Sequence, residues 1–258
     1  MDGAYTLSGL MVGFIVGLTG VGAGALMTPL LVLVFGVSPA VAVGTDLLYA
    51  SITKGAGGWV HARRGNVDWG VVCWLAAGSV LAALLTLAGL KALGVESRQY
   101  SILITTALGV ALVLTALGLV FKKRLHFGRS DSGIAATRIE RFRIPATIFT
   151  GAVLGALVTL TSVGAGALGM VALFALYPRL PVATLVGSDI VHAVPLTLVA
   201  GFGHAILGTV DYHLLGSLLA GSLPGVYLGS HAAGRVPERA LRNVLAVILF
   251  LVGGKLIW

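Results

Sequence analysis

The sequence predicts an all-α polytopic membrane protein made of two homologous, inverted repeats, each a glycine-broken helical hairpin followed by three transmembrane helices. Three observations carry this fold class. First, 57% of the 258 residues are hydrophobic and only 10% are charged. A soluble domain averages about 25% charged residues, so this chain could not clothe its surface in polar side chains and belongs in lipid. Second, Leu18–Leu26 reads LTGVGAGAL and returns as Leu160–Leu168, LTSVGAGAL, with eight of nine positions identical. Third, further matches follow in order. Pro39 matches Pro181 at an offset of 142, and Gly44, Thr45 and Asp46 match Gly187, Ser188 and Asp189 at 143. His61 with His204, GNVDW with GTVDY, and Gly78-Ser79 with Gly221-Ser222 keep that second offset. Ordered matches at one spacing mark a duplicated unit.

The elements follow from apolar length. Thr6 to Phe35 is one apolar stretch. As a single helix it would run roughly 45 Å, against a hydrocarbon core of about 30 Å. Glycine costs up to about 1 kcal/mol in a helix and frees the backbone to break. Split at its glycines, the stretch gives two pieces, which suit either a re-entrant hairpin or a broken, tilted span. Pro39 opens a second element that ends near His61 and carries Asp46 and Lys54. The loop Ala62 to Asp68 holds Arg63 and Arg64. Trp69 to Leu90 makes a third element, its Trp69 and Trp74 suited to the membrane interface. Lys91 to Arg98 turns the chain, and Gln99 to Phe121 forms a fourth. The expected organisation is a single membrane domain, with repeat one at 1–121, a basic linker at 122–142 and repeat two at 143–258.

Charge sets the orientation. The formal net charge is +8, but seven of the 17 Lys and Arg lie between Lys122 and Arg143 against two acids, and most others sit in short loops. That placement orients a membrane protein and excludes a nucleic-acid interface. If each broken stretch spans fully, the bases divide ten against six. If each is a hairpin returning to its own side, they divide thirteen against three, with only Lys91, Arg98 and Lys255 on the far side and Lys54 within the membrane. The sharper division favours inverted repeats with the linker in the cytoplasm. The single Cys73 leaves no internal disulfide and no cysteine metal motif. The N-terminus lacks a basic n-region, so no removable signal peptide is expected.

The breaks carry the first candidate chemistry. Half-helices that end at mid-depth aim backbone N–H groups and a partial positive charge at whatever lies between them. Thr19 and Ser162 would add hydroxyls, while Gly20, Gly22, Gly24, Gly164 and Gly166 would let a ligand approach the backbone. Such a site suits a small oxyanion. Close packing of small residues is the competing explanation, and two copies with identical glycines favour a site. Asp46 and Asp189 come next, each preceded by a glycine and a hydroxyl residue (Thr45, Ser188); those two hydroxyls and Lys54 are expected among the substrate-binding residues. An aspartate in an apolar span is costly and marks function by default. Lys54 lies two turns beyond Asp46, displaced by about 80°, and Thr197 replaces it in the second half. His192 shares a helix face with Asp189 and completes a proton-coupling set of Asp46, Asp189 and His192. The plain alternative is that the aspartates brace broken helices. Asp68 and Asp211 read as helix caps, and His61 and His204 as structural. Nothing resembles HExxH, GxSxG or a P-loop, so no catalytic residue, metal or cofactor is expected.

LTGVGAGALMTPLL, AVGTDLLYASITK and HARRGNVDW, with VGSDIVHAVPLTLVAGFGH and GTVDY in the second half, resemble the TauE/SafE family of sulfite and organosulfur anion exporters. The resemblance spans nearly the whole chain apart from the linker. It implies a secondary transporter of small sulfur-containing anions such as sulfite, sulfonates or thiosulfate. The family carries Ser where this chain has Asp46 and Asp189. The glycine and hydroxyl positions therefore carry over, whereas the acidic pair rests on the cost of burying charge.

The leading expectation is thus a proton-coupled anion transporter of a bacterial-type inner membrane, working by alternating access. Its partners would be a small anion, H+ and the bilayer, with no nucleic acid. A cation or metal permease using Asp46, Asp189 and His192 as ligands is the second reading. An intramembrane enzyme or passive scaffold is the third.

Overall fold

The structure, a computed structural model, describes residues 3–19, 24–95, 97–127, 133–232 and 238–257, with side chains at 19, 24, 120–141, 230, 232, 238–242 and 257 outside the description. Its described elements are all helices. The first half supplies α1 (Gly3–Thr19), α2 (Gly24–Leu33), α3 (Pro39–Arg63), α4 (Trp69–Leu93) and α5 (Arg98–Phe127). The second supplies α6 (Gly133–Thr161), α7 (Ala167–Leu176), α8 (Val182–Ile206), α9 (Tyr212–Ala232) and α10 (Glu238–Ile257).

Local chemistry sets the boundaries. Pro39 opens α3 at a position where its missing N–H costs nothing. Asp68 caps α4, its carboxylate accepting from Val71 N at 3.1 Å. Asp211 does the same for α9, accepting from His213 N and Leu214 N at 2.9 Å each. Gly94 ends α4 with φ 76°. Most of the stretch read as a polar linker is helical, since α5 runs on to Phe127 and α6 begins at Gly133. Lysine, arginine and alanine are good helix formers, so the spans extend past their apolar lengths.

Among the described residues, four helical segments are long and apolar enough to cross a membrane: Trp69–Leu93, Arg98–Leu119, Phe142–Thr161 and Val182–Ile206. The protein is multi-pass. α3 is as long as α4 but carries Asp46 and Lys54. It tolerates them by being enclosed: every residue from Ala42 to Ser51 is buried. Outward faces such as Leu81, Leu84 and Leu85 on α4, and Val247, Phe250 and Leu251 on α10, are exposed, as lipid contact requires.

Glycines set the close crossings. Gly9 and Gly13 of α1 lie against the backbone of Leu218 and Ser222 of α9, so the two helices run in the same direction. Gly151 and Gly155 of α6 lie against Leu75 and Ser79 of α4 in the same way. A Cβ at any of these four positions would collide with backbone atoms, which is why small residues hold these seams. α3 and α8 pack together in opposite directions: Gly44 meets Thr209 and His204, Gly201 meets Leu48, and Gly58 meets Val191. Each half therefore lends its first helix to the fourth helix of the other. The central core joins Val43 and Leu47 of α3, Tyr100 and Ile104 of α5, Val158 of α6 and Leu196 of α8.

Candidate functional site: a charged cluster at the helix breaks

In the second half, the helix stops at Thr161 and restarts at Ala167. Ser162 N donates to Val158 O at 2.7 Å and closes the last turn of α6. The chain then reverses through Ser162 at φ 58°, Gly164 at φ 122° and Gly166 at φ 123°. The two glycine values lie outside what an L side chain adopts comfortably. Thr161 steadies the break: its hydroxyl donates to Leu157 O at 2.7 Å and accepts from Val163 N at 3.1 Å. In the first half, α1 is described as far as Thr19 and α2 from Gly24. Gly20, Gly22 and the side chain of Thr19 lie outside the described residues.

Both aspartates lie against the short helices. Asp46 Oδ2 accepts from the Thr28 hydroxyl of α2 at 2.5 Å. The Asp189 carboxylate faces the backbone N–H of Gly166, at the start of α7. It also packs on Gly169 so closely that a Cβ there would strike Oδ1. The pole expected to receive a guest's oxygen thus holds one of the protein's own carboxylates. Lys54 reaches from α3 into the break of the other half, where its Nζ donates to Ala165 O at 3.1 Å. It lies within electrostatic reach of Asp189 and Asp46. With all three ionised, the cluster carries a formal charge of −1.

Several hydrogen-bonding atoms here lack a partner. Asp46, Asp189, Ser162 and His192 are all buried. Yet Asp46 Oδ1, Asp189 Oδ1, Ser162 Oγ and His192 Nδ1 make no hydrogen bond. Buried polar atoms are nearly always paired, so such a group around one break is unusual. Ser162 lies near the Asp46 carboxylate without bonding to it.

Other candidates sit at the edge of this cluster. Thr45 Oγ1 accepts from Asp211 N at 3.0 Å, and Ser188 Oγ accepts from Asp68 N at 2.8 Å. Each hydroxyl thus holds the start of a helix in the opposite half. His192 turns from Asp189 towards α4, where Nε2 shares a hydrogen bond with Ser79 Oγ at 2.8 Å. His204 is buried and bonds Thr209 at 2.8 Å and the carbonyl of Thr159 at 3.0 Å. Among the described residues, no three His, Cys, Asp or Glu side chains gather into a metal site. Sequence reasoning missed Thr28, the Ala165 carbonyl and Ser79. Thr28 left one signal, a hydroxyl four residues into an apolar helix beside Pro29.

Comparison with known proteins agrees with this architecture. The family described as Sulfite exporter TauE/SafE matches residues 5–256. Probable membrane transporter protein YjnA of Bacillus subtilis (strain 168) is 40% identical over 257 residues, covering all of both chains. A probable membrane transporter protein of Xylella fastidiosa (strain Temecula1) is 27% identical, over 97% of this chain and 93% of its own. Probable membrane transporter protein YdhB of Bacillus subtilis (strain 168) is 25% identical, over 94% and 95%. No solved structure matches. With the match running almost end to end and a full-length relative at this identity, the chain belongs to the TauE/SafE family of membrane transporters.

Proposed function

We propose that this protein is a secondary transporter of a small sulfur-containing oxyanion of the sulfite, sulfonate or thiosulfate type, moved together with a proton by alternating access. The site is the cluster of Asp46, Lys54, Ser162, Gly164, Gly166 and Asp189, and Thr19, Gly20, Gly22 and Gly24 are carried as its candidates from the first repeat on the strength of the sequence match. Thr45, Ser188 and His192 brace its rim. The observation that carries this reading is the set of three buried, unpartnered polar atoms, Asp46 Oδ1, Asp189 Oδ1 and Ser162 Oγ, gathered at one helix break. They suit a guest with several oxygens and exchangeable hydrogens. Family membership adds the anion class.

Charge supports the proton. An anion entering a cluster of formal charge −1 meets repulsion that a dry interior screens poorly. A proton arriving with it removes one carboxylate charge. The neutral acid can then leave the start of α7, and the oxyanion takes its place at the Gly166 amide, with Lys54 alongside. Guest and proton are coupled because the carboxylate and the oxyanion compete for the same positive pole.

Chain direction supports inverted repeats with re-entrant hairpins. The matching helices α3 and α8 run against each other. α1 climbs with α9, and α9 climbs with α3, Asp211 beside Thr45 and Ser222 beside Tyr49. α2 folds back along α3 through Thr28 and Asp46. An α1–α2 pair that enters and returns fits this order, and so does the thirteen-to-three division of bases.

The test is uptake of labelled sulfite or thiosulfate into proteoliposomes under an imposed pH gradient. The native protein should respond to the gradient. The Asp189→Asn variant, which removes the carboxylate at the start of α7 and is checked for an unchanged melting temperature, should lose that response. A variant whose flux follows pH as the native protein's does would sink the coupling role. No saturable uptake of any sulfur oxyanion would sink the substrate class.

A further inference from the structure

Away from the charged cluster, α3, α4 and α8 enclose an apolar groove of about 410 Å³. Gly55, Gly58, Trp59, Trp69, Val72 and Pro195 are among the residues that line it. Its volume falls within the roughly 300–1,000 Å³ of ordinary ligand sites. Nothing lies within 4 Å of the place where a Gly55 side chain would sit. Trp59 and Trp69 are each 59% exposed at its rim, as aromatic side chains at a membrane interface are. Arg63 stacks over Trp59, its guanidinium carbon 3.9 Å from the ring centroid. Arg64 follows at the C-cap of α3 and is exposed. Among the described residues neither arginine pairs with an acid, and the carboxylate of Asp68 caps α4.

The corresponding place in the second half lacks both features. Leu198 stands where Gly55 does, and Leu48 stands for Val191 and packs onto Gly201. Ile206 and Leu207 replace the two arginines. Apolar room and paired positive charge therefore occur together on one side and are missing together on the other. A neutral lipid has no use for the arginines, and a soluble anion has no use for the groove.

We propose that this groove seats an acyl chain of an anionic phospholipid whose phosphate rests on Arg63 and Arg64. The lipid would fasten the α3–α4 turn to α8 from the linker-side leaflet, next to the helix that carries Asp46 and Lys54. Guanidinium groups suit phosphate oxygens.

Native mass spectrometry and thermal denaturation of the purified full-length protein test this, with phosphatidylglycerol or phosphatidylcholine added in mixed micelles. Phosphatidylglycerol should be retained in preference and should raise the melting temperature. Arg63→Gln with Arg64→Gln should lower its retention about tenfold or more, in line with the attraction of basic residues to anionic membranes. Gly55→Leu, which fills open space, should lower retention with the lipid-free melting temperature unchanged. Equal retention of the two lipids by the native protein would overturn the proposal. So would native-like retention in both variants, or the same stabilisation by inorganic phosphate alone.

Discussion

The two halves repeat each other's packing and differ in their chemistry. Gly9 and Gly13 meet α9 as Gly151 and Gly155 meet α4. Gly44 lies against Thr209 as Gly187 lies against Asn66. Thr45 holds Asp211 as Ser188 holds Asp68. Asp46 and Asp189 also match, but around them Lys54 corresponds to Thr197, Thr28 to Met170 and Tyr49 to His192. The seams were kept because each places a glycine where a Cβ would strike backbone, and no repacking of side chains relieves such a clash. The polar positions diverge, since a changed side chain there leaves the backbone crossings in place. Symmetry lies in the scaffold and asymmetry in the site.

Five substitutions, in three sets, can break or sharpen that contrast. The largest expected effect is Lys54→Thr, which copies the second half's residue into the first. Losing a charged hydrogen bond of about 1.5–3 kcal/mol should weaken anion binding by roughly tenfold to a hundredfold. Calorimetric titration with sulfite measures it, and unchanged affinity would mean that the halves contribute alike. Next, Gly13→Ala and Gly155→Ala should each destabilise the protein by about 1–3 kcal/mol through overpacking, and by similar amounts. Thermal denaturation in detergent measures both, and a large disparity would break the equivalence of the seams. The smallest effect belongs to the caps: Asp68→Ala and Asp211→Ala should each cost about 1 kcal/mol. Denaturation again measures it. A cost several times larger in only one of the two would mark that aspartate as more than a cap.

Much of the helix layout could be read from the residues. Pro39, Asp68 and Asp211 announced helix starts, and the glycines after Thr161 announced an interruption, because these signals act within a turn of where they stand. The contents of the site could not be read in the same way. Lys54 was legible as a buried cation, but its partner, the Ala165 carbonyl, lies 111 residues away. Thr28 meets Asp46 only because α2 folds back on α3. His192 shares a helix face with Asp189 by spacing, yet its ring bonds Ser79 on another helix. Thr45 and Ser188 looked like ligands by adjacency to the aspartates, and their hydroxyls serve backbone amides across the halves. The paired offsets revealed which residues correspond, but not which helices interlock.

That interlocking constrains the order in which the protein can be made. The glycine face of α1 is covered by α9, the penultimate helix to leave the ribosome. α4 is covered sooner, when α6 arrives. Throughout most of synthesis, the opening segment must therefore wait in the bilayer with its narrow seam unfilled. A chain terminated before Tyr212 leaves the glycine face of that segment without its partner.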